Sequence, residues 1–588
     1  MEIGKVGVVG CGTMGSGICE VVARAGLPVA FVEVSDEEVE RGYARIGHSL
    51  QRAVERGKLD VGAQQDALAR ITGGTSYDAL ADADLAIEAV PEQMAVKQEA
   101  FRALDATLGP QAILATNTSS LPVTAIAVET TRADRVVGLH FFNPAPVMLL
   151  IELITTVVSA PGAVEAARNF AQRIGKQPVV VHDRAGFVAN LLLFPYLNQA
   201  VGMLEGGYAS REDIDTAMQL GAGHPMGPLA LMDLIGLDSA NSIMERMYEQ
   251  FRDTRHAPRP LVRQLLAAEY RGRKSSRGFY TYAEPHSPRL AEGDVTPRRP
   301  TDPGLVAAWS AVGVVGTGTM GAGIAEVCAR AGFDVVVRGR SEDRARACIG
   351  RVGASLDRAV ERGRLDADQR QAALSRLRPT AGFADLSDCD LVVEAVAEDL
   401  SVKRPLFAEL DRVAKPSALL ATTTSSLAVI ACAMATARPE QVVGLHFFNP
   451  AARMRLVEVV HTARTDPGAF ERALAFTERV GKHPVVCADR AGFIVNALLF
   501  PYLNNAVKML EEGYATVTDI DTAMKLGCGH PMGPFELMDV VGLDVTLQIC
   551  NALDAEFREP GFAPAPLLRH MVSAGYLGRK TRRGFHAY

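Results

Sequence analysis

The sequence predicts an α/β domain followed by a helical domain, with that pair present twice along 588 residues. Three observations predict it. Long segments recur at one constant offset. Each copy opens on a glycine-rich turn between a valine-rich strand and an amphipathic stretch. Each closes on apolar runs of helical character with capping residues ahead of them.

The recurrence sets the organisation. VGVVGCGTMGSGICEVVARAG from Val6 returns from Val312 as VGVVGTGTMGAGIAEVCARAG, with 17 of 21 positions identical. LHFFNPAPVMLLIEL at 139–153 returns as LHFFNPAARMRLVEV at 445–459. DRAGFVANLLLFPYLNQAV from Asp183 and GRKSSRGFYTY from Gly272 return from Asp489 and Gly578. The offset is 306 residues each time, so 1–282 and 307–588 are two copies without net insertion. That period is a tandem duplication of an enzyme-sized unit, far longer than a solenoid repeat. Between them, 283–311 carries Pro285, Pro288, Pro297, Pro300 and Pro303 and is expected to be an extended, semi-rigid linker.

The opening of each copy has chemical content. KVGVVG is a buried-strand pattern leading into Gly10, Gly12, Thr13, Met14 and Gly15, and a second valine-rich strand then ends at Glu33. Glycines placed there let backbone approach a pyrophosphate at a helix N-terminus, and the acid can hold ribose hydroxyls. Copy two keeps Gly316, Gly318, Thr319, Met320 and Gly321, but Glu33 is replaced by Gly339 between Arg338 and Arg340. Two readings stand: a pocket that admits a ribose 2′-phosphate, or a cofactor site that has decayed.

Four polar residues of copy one are candidates for chemistry: Ser119, His140, Glu152 and Asn190. Singly, a serine caps a helix, a histidine sits satisfied in a core, and an asparagine closes a loop. Glu152 resists such an account, because it lies in the apolar strand LLIELI, where an unpaired charge is costly. A histidine partner relieves that cost and yields a general base, which the oxidation of an alcohol requires. In the second half, Ser210 with Asp213 and Thr516 with Asp519 read as helix starts, and LLLFPYL and ALLFPYL read as core or interface.

Composition narrows the class. With 48% hydrophobic and 22% charged residues the chain is globular, and a net charge of −7 gives no reason to expect nucleic acid or an anionic membrane as partner. Nine scattered cysteines without a CxxC fit a reducing cytoplasm and no structural metal, and a strand from Val6 leaves no room for a signal peptide.

With these motifs the chain resembles the L-3-hydroxyacyl-CoA dehydrogenase family, of the 3-hydroxybutyryl-CoA type, over both copies. GxGTMG, NTSSLP, GLHFFNPAPVM, DRAGFVxN and GHPMGPxxLMDxxGLD carry the resemblance. It implies Rossmann-type NAD(P)-binding domains at 1–185 and 312–491. It also implies all-α, 6-phosphogluconate-dehydrogenase-like dimerisation domains at 186–282 and 492–588, so that the two copies could pair within one chain, with further homo-oligomerisation left open. It assigns the catalytic set to Ser119, His140, Glu152 and Asn190 and to Ser425, His446, Glu458 and Asn496. It gives coenzyme contacts to Glu92, Lys97 and Lys274, and to Glu398, Lys403 and Lys580. NAD is the coenzyme implied for copy one, with NAD or NADP for copy two. The helix HSLQRAVERGKLD puts Ser49, Arg52 and Arg56 on one face, and copy two repeats them as Ser355, Arg358 and Arg362. A solvated basic face is the commoner meaning of that pattern; the resemblance implies that it grips coenzyme A.

Three departures stand out. Asn117 becomes Thr423; Leu149 stands where the family commonly has lysine; copy two has Arg453 and Arg455. Those arginines suit the far carboxylate of a dicarboxylyl-CoA, although strand alternation would set them on the face opposite Glu458. Besides the acyl-CoA dehydrogenase, two alternatives stand: a sugar-acid dehydrogenase of the gulonate type, and a catalytically silent second copy.

Overall fold

The computed structural model describes residues 2–295 and 301–588. In copy one the strands are β1 (Val6–Val9), β2 (Val29–Val32), β3 (Ile71–Gly74), β4 (Leu85–Glu88), β5 (Ile113–Thr116), β6 (Val136–Phe141), β7 (Leu150–Thr155) and β8 (Gln177–His182). They form one sheet in the order β3-β2-β1-β4-β5-β6-β7-β8. Every neighbouring pair is parallel except β6 and β7. The first, fourth and fifth strands are buried along their whole length, as strands covered by helices on both faces must be. Copy two repeats the sheet with β9 (Ala311–Val315), β10 (Asp334–Arg338), β11 (Leu377–Thr380), β12 (Leu391–Glu394), β13 (Leu419–Thr422), β14 (Val442–Phe447), β15 (Leu456–His461) and β16 (His483–Ala488).

Strand order reverses between β1 and β4, which opens a crevice beyond their carboxyl ends, where the glycine turn lies. The three glycines have separate duties. Gly10 has φ of +86°, and a Cβ there would meet the Ala89 carbonyl oxygen at 2.9 Å. A Cβ on Gly15 would fall 1.8 Å from the Gly10 carbonyl oxygen, so its absence lets the helix Thr13–Arg24 seat against the strand. Gly12 faces open space.

Each sheet is followed by a helical domain whose first member is Ala189–Glu205 in copy one and Val495–Glu511 in copy two. The runs LLLFPYL and ALLFPYL belong to these helices, pack against each other, and join both copies into one apolar core. Ser210 and Thr516 accept from the Asp213 and Asp519 backbone N–H, starting the next helices, Arg211–Gly221 and Val517–Cys528. These cross over: Arg211–Gly221 lies on β15 and β16 of copy two, and Val517–Cys528 lies on β7 and β8 of copy one. Tyr208 donates to the Ala488 carbonyl at 2.6 Å while Tyr514 donates to the His182 carbonyl at 2.8 Å, a reciprocal pair 306 residues apart.

The described parts of the connection, 283–295 and 301–310, are folded rather than extended. Ala283–Ala291 turns back on itself through bonds from Ala283 to Arg289 and from Ala291 to Thr281. Pro303–Val306 forms a 3-10 turn with Val306 buried against the helix Pro467–Arg479, and Ala311 already belongs to the sheet. Apolar side chains at Leu290 and Val306 pull these ends onto the domains. Pro297 and Pro300 lie outside the described residues. Among the described residues no helix is long and apolar enough to cross a membrane.

His224 and His530 stack where the copies meet, ring centroids 4.1 Å apart and planes 11° from parallel. Tyr196 and Tyr502 lie at hydrogen-bond distance from their Nδ1 atoms. Burial holds His224 down to about 4, and burial with the neighbouring His224 holds His530 down to about 3. Unfolded histidines take up protons below about pH 6.5, so the folded chain loses stability as pH falls from there toward 4. The loss is up to about 1.4 kcal/mol per pH unit for each histidine. The unfolding midpoint should therefore drop between pH 7.5 and 5, and His224→Gln with His530→Gln should flatten that drop. An equally steep drop in the double variant would place the acid sensitivity elsewhere.

Candidate active site

The twelve-residue spacing between histidine and glutamate is explained by the one antiparallel pair in the sheet. On β6 and β7, His140 stands directly opposite Glu152. Nδ1 of His140 lies 2.7 Å from Oε2 of Glu152. The other carboxylate oxygen accepts from the Val188 and Ala189 backbone N–H at 2.9 and 2.8 Å, at the N-terminus of the long helix. Glu152 is fully buried, and those donors, with the positive end of the helix dipole, offset the cost of its charge. With Nδ1–H donating to the carboxylate, Nε2 is the nitrogen left with a lone pair. Phe142 and Phe187 flank the imidazole.

Glu92 gathers the loop that carries Ser119. Its Oε1 accepts from Thr118 Oγ1 at 2.6 Å, from Ser119 N–H at 2.9 Å and, more weakly, from the Ser119 and Ser120 hydroxyls. Burial alone would raise this carboxyl; Lys97 and these donors outweigh burial and leave it below its usual range. Asn190, one residue beyond the N–H that grips Glu152, donates through Nδ2 to the Ser119 carbonyl at 3.3 Å. Serine, histidine, glutamate and asparagine are thus tied through two adjoining networks.

Copy two reproduces this. His446 pairs with Glu458 at 2.6 Å, and Glu458 accepts from Ile494 and Val495 N–H at 3.0 and 2.8 Å. Glu398 holds Ser425 N–H at 2.7 Å, and Asn496 donates to the Ser425 carbonyl at 3.0 Å. One bond is lost: Asn117 accepts from Phe141 N–H at 2.9 Å, and the shorter Thr423 makes no counterpart among the described residues.

Other expected site residues take less direct places. Lys97 is only 1% exposed, bonded to Glu88 at 2.7 Å and 3.2 Å from Glu92, so it acts on the cleft through Glu92; Lys403 repeats this with Glu394 and Glu398. Lys274 and Lys580 pair with Asp238 and Asp544 of the helical domains, not with the glycine turns. Arg52, Arg56, Arg358 and Arg362 are exposed at the ends of the helices Asp36–Glu55 and Glu342–Glu361, with Ser49 and Ser355 half-buried beside them. The alternation argument for Arg453 and Arg455 does not apply. Both lie in the turn before β15, a turn shaped by Lys482 donating to the Ala451 and Met454 carbonyls, so strand parity does not set their direction.

Sequence reasoning missed three residues. Glu88, the buried anchor of Lys97, ends the apolar strand LAIE and was open to the same argument as Glu152. Arg246 binds the Ser120 hydroxyl at 2.6 Å and the Glu92 carbonyl at 2.8 Å, with Ala552 in its place in copy two; 126 residues of separation left no signal. Arg344 is the third. In copy two a cavity of about 690 Å³ beside the glycine turn is lined by Gly316, Gly318, Arg338, Gly339, Arg340 and Arg344, among others. Val32, Glu33, Val34 and Glu38 occupy the positions of these last four in copy one. Arg338 lies over the Phe383 ring, and among the described residues neither Arg340 nor Arg344 has an ion-pair partner.

A parallel sheet with a glycine turn at its switch point, set beside a buried histidine–carboxylate pair, defines a nucleotide-dependent dehydrogenase. The open side of Gly12, the tight seats of Gly10 and Gly15, and the matching geometry of copy two fit a dinucleotide pyrophosphate. The model for the 3-hydroxyacyl-CoA dehydrogenase NAD binding domain matches residues 5–184 and 311–490, and that for the C-terminal domain matches 186–282 and 492–588. The chain belongs to the 3-hydroxyacyl-CoA dehydrogenase family. It is 50% identical over 279 residues to 3-hydroxybutyryl-CoA dehydrogenase of Mycobacterium tuberculosis, covering 47% of this chain and 98% of that protein. It is 44% identical over 284 residues to the mitochondrial hydroxyacyl-coenzyme A dehydrogenase of Mus musculus, covering 47% of this chain and 90% of that one. The crystal structure of 3-hydroxybutyryl-CoA dehydrogenase from Escherichia coli K12 matches with a TM-score of 0.72 at 28% identity, over 98% of this chain and all of that one.

Proposed function

We propose that each copy interconverts a (3S)-3-hydroxyacyl-CoA and its 3-oxoacyl-CoA, with NAD in copy one and NADP in copy two. The observation that carries the reaction is the His140–Glu152 pair, repeated as His446–Glu458. His140 Nε2 takes the proton of the C3 hydroxyl, and Glu152 holds the Nδ1 proton and stabilises the imidazolium that results. Ser119 and Asn190 hold the reacting oxygen. In reverse, the same nitrogen returns the proton. Bound nicotinamide supplies the hydride acceptor or donor. Arg52 and Arg56, with Arg358 and Arg362, grip the phosphates of coenzyme A. The crossed helical domains support reading the two copies as one intramolecular pair, and nine cysteines without a disulfide support a cytoplasmic setting.

The coenzyme split rests on charge. Glu33 stands in copy one where copy two has Gly339 and would repel a 2′-phosphate, whereas Arg338, Arg340 and Arg344 line the copy-two cavity beside Gly339 and outnumber its one acid, Glu409. Each charge-assisted contact is worth about 1.5–3 kcal/mol, roughly ten- to a hundredfold in affinity. The test uses two single-site proteins, His140→Ala and His446→Ala, on 3-hydroxybutyryl-CoA. The first, with only copy two working, should favour NADP by at least tenfold relative to the second. Equal NAD preference would refute the split, and no turnover of any 3-hydroxyacyl-CoA by either protein would refute the reaction.

A further inference from the structure

We propose a further activity, resting on the coenzyme split above: the chain moves hydride from NADH to NADP⁺ through an acyl-CoA that visits both copies in turn. Copy one transfers hydride from NADH to C3 of a 3-oxoacyl-CoA, and His140 supplies the hydroxyl proton, giving NAD⁺ and the (3S)-3-hydroxyacyl-CoA. Copy two takes the hydroxyl proton on His446 and passes the C3 hydride to NADP⁺, giving NADPH and the 3-oxoacyl-CoA again. The sum is NADH plus NADP⁺ to NAD⁺ plus NADPH. One proton is consumed and one released, and the acyl-CoA is regenerated.

Three observations bear on it. Both copies hold a complete base pair, at 2.7 and 2.6 Å, with serine and asparagine joined in the same way. The repeated geometry presents the same hydroxyl face to each base, so the product of one copy has the handedness the other requires. The coenzyme pockets differ where the ribose phosphate would lie: Glu33 and Glu38 of copy one, the latter paired with Arg41 and Arg45, stand where copy two has Gly339 and Arg344, and Arg338, Arg340 and Arg344 outnumber the one acid, Glu409, in the copy-two cavity. A chain whose copies shared one coenzyme would only exchange hydride between identical molecules. Here the exchange has a net product, and one covalent chain supplies both sites in equal number.

The experiment gives the full-length chain NADH deuterated at the transferable position, NADP⁺, and acetoacetyl-CoA at a small fraction of either. Labelled NADPH, measured by mass spectrometry, should exceed the acyl-CoA many times over and should not form without it. Calorimetric titration of NADP⁺ into the unmodified chain and into Arg340→Glu, a change in the copy-two cavity alone, gives a readout independent of turnover: the binding heat should be lost in the variant. In each of the His140→Ala and His446→Ala proteins the altered copy should lose its coenzyme-linked turnover, and labelled NADPH should fall at least about tenfold. If each single-site protein works with its own coenzyme and yet no label moves in the unmodified chain, the copies act on different acyl-CoAs and the transfer is refuted. If copy two neither binds nor uses NADP⁺, the coenzyme split fails first and the transfer falls with it.

Discussion

Alanine at both His140 and His446 lowers turnover by about a hundred- to ten-thousandfold, the usual worth of a positioned general base. Either single change leaves the other copy working. The size follows from what each histidine holds. Nδ1 is engaged by a fully buried carboxylate, and that carboxylate is pinned by two N–H groups at a helix start. Removing the imidazole takes away the proton acceptor and leaves Glu152 or Glu458 buried without its side-chain partner. Steady-state rates of the two single variants and the double variant check this, with unfolding midpoints as control. Complete loss from one single change would mean that the copies do not turn over independently.

The second large effect crosses between copies: Gly221→Val should lower turnover at copy two, not at its own copy, by about a hundredfold. A Cβ on Gly221 would fall 2.8 Å from both Leu456 Cδ2 and Val495 Cγ2. Leu456 lies two residues before Glu458 on β15, and Val495 donates its N–H to Glu458. A larger side chain must therefore shift the elements that orient His446, and about 1 Å of misplacement costs about 10²-fold. Gly527 is the mirror case, with its Cβ position 2.8 Å from Leu150 Cδ2 and 3.2 Å from Phe142, the ring beside His140. Gly221→Val is measured in the His140→Ala and His446→Ala backgrounds, where kcat should fall in the first and hold in the second. A similar fall in both would reduce the effect to general destabilisation.

The parts of the site that were legible in the sequence are those where short-range rules decide. A charged residue inside an apolar strand demands a partner, which marks Glu152 and makes a histidine twelve residues earlier a candidate, while the family resemblance supplies the assignment of the set. The glycine turn was legible for the same reason, since backbone crowding leaves few residues able to occupy it. What was not legible depends on long separations. Arg246 reaches Ser120 and Glu92 only because the helical domain folds back over the sheet, and Gly221 meets Val495 only because the domains cross. The prolines of the connection between copies give no hint that Leu290 and Val306 pack onto the domains and fix where its ends lie. Arg344 carries no local signal, because it lies five residues beyond the one replacing the acid, on the next helix, which also lines the pocket.

The crossing of the two helical domains means that each copy lends cover to the other's base, and the 306-residue offset makes that exchange internal to one molecule. Two separate chains with unlike pockets would sort into three kinds of pair, two of them between like copies. Within this chain the helices that meet belong to unlike copies. Tethering also sets an effective concentration in the millimolar range for short connections, so dilution does not part the copies. Each half thus has a built-in companion whose pocket is free to differ from its own.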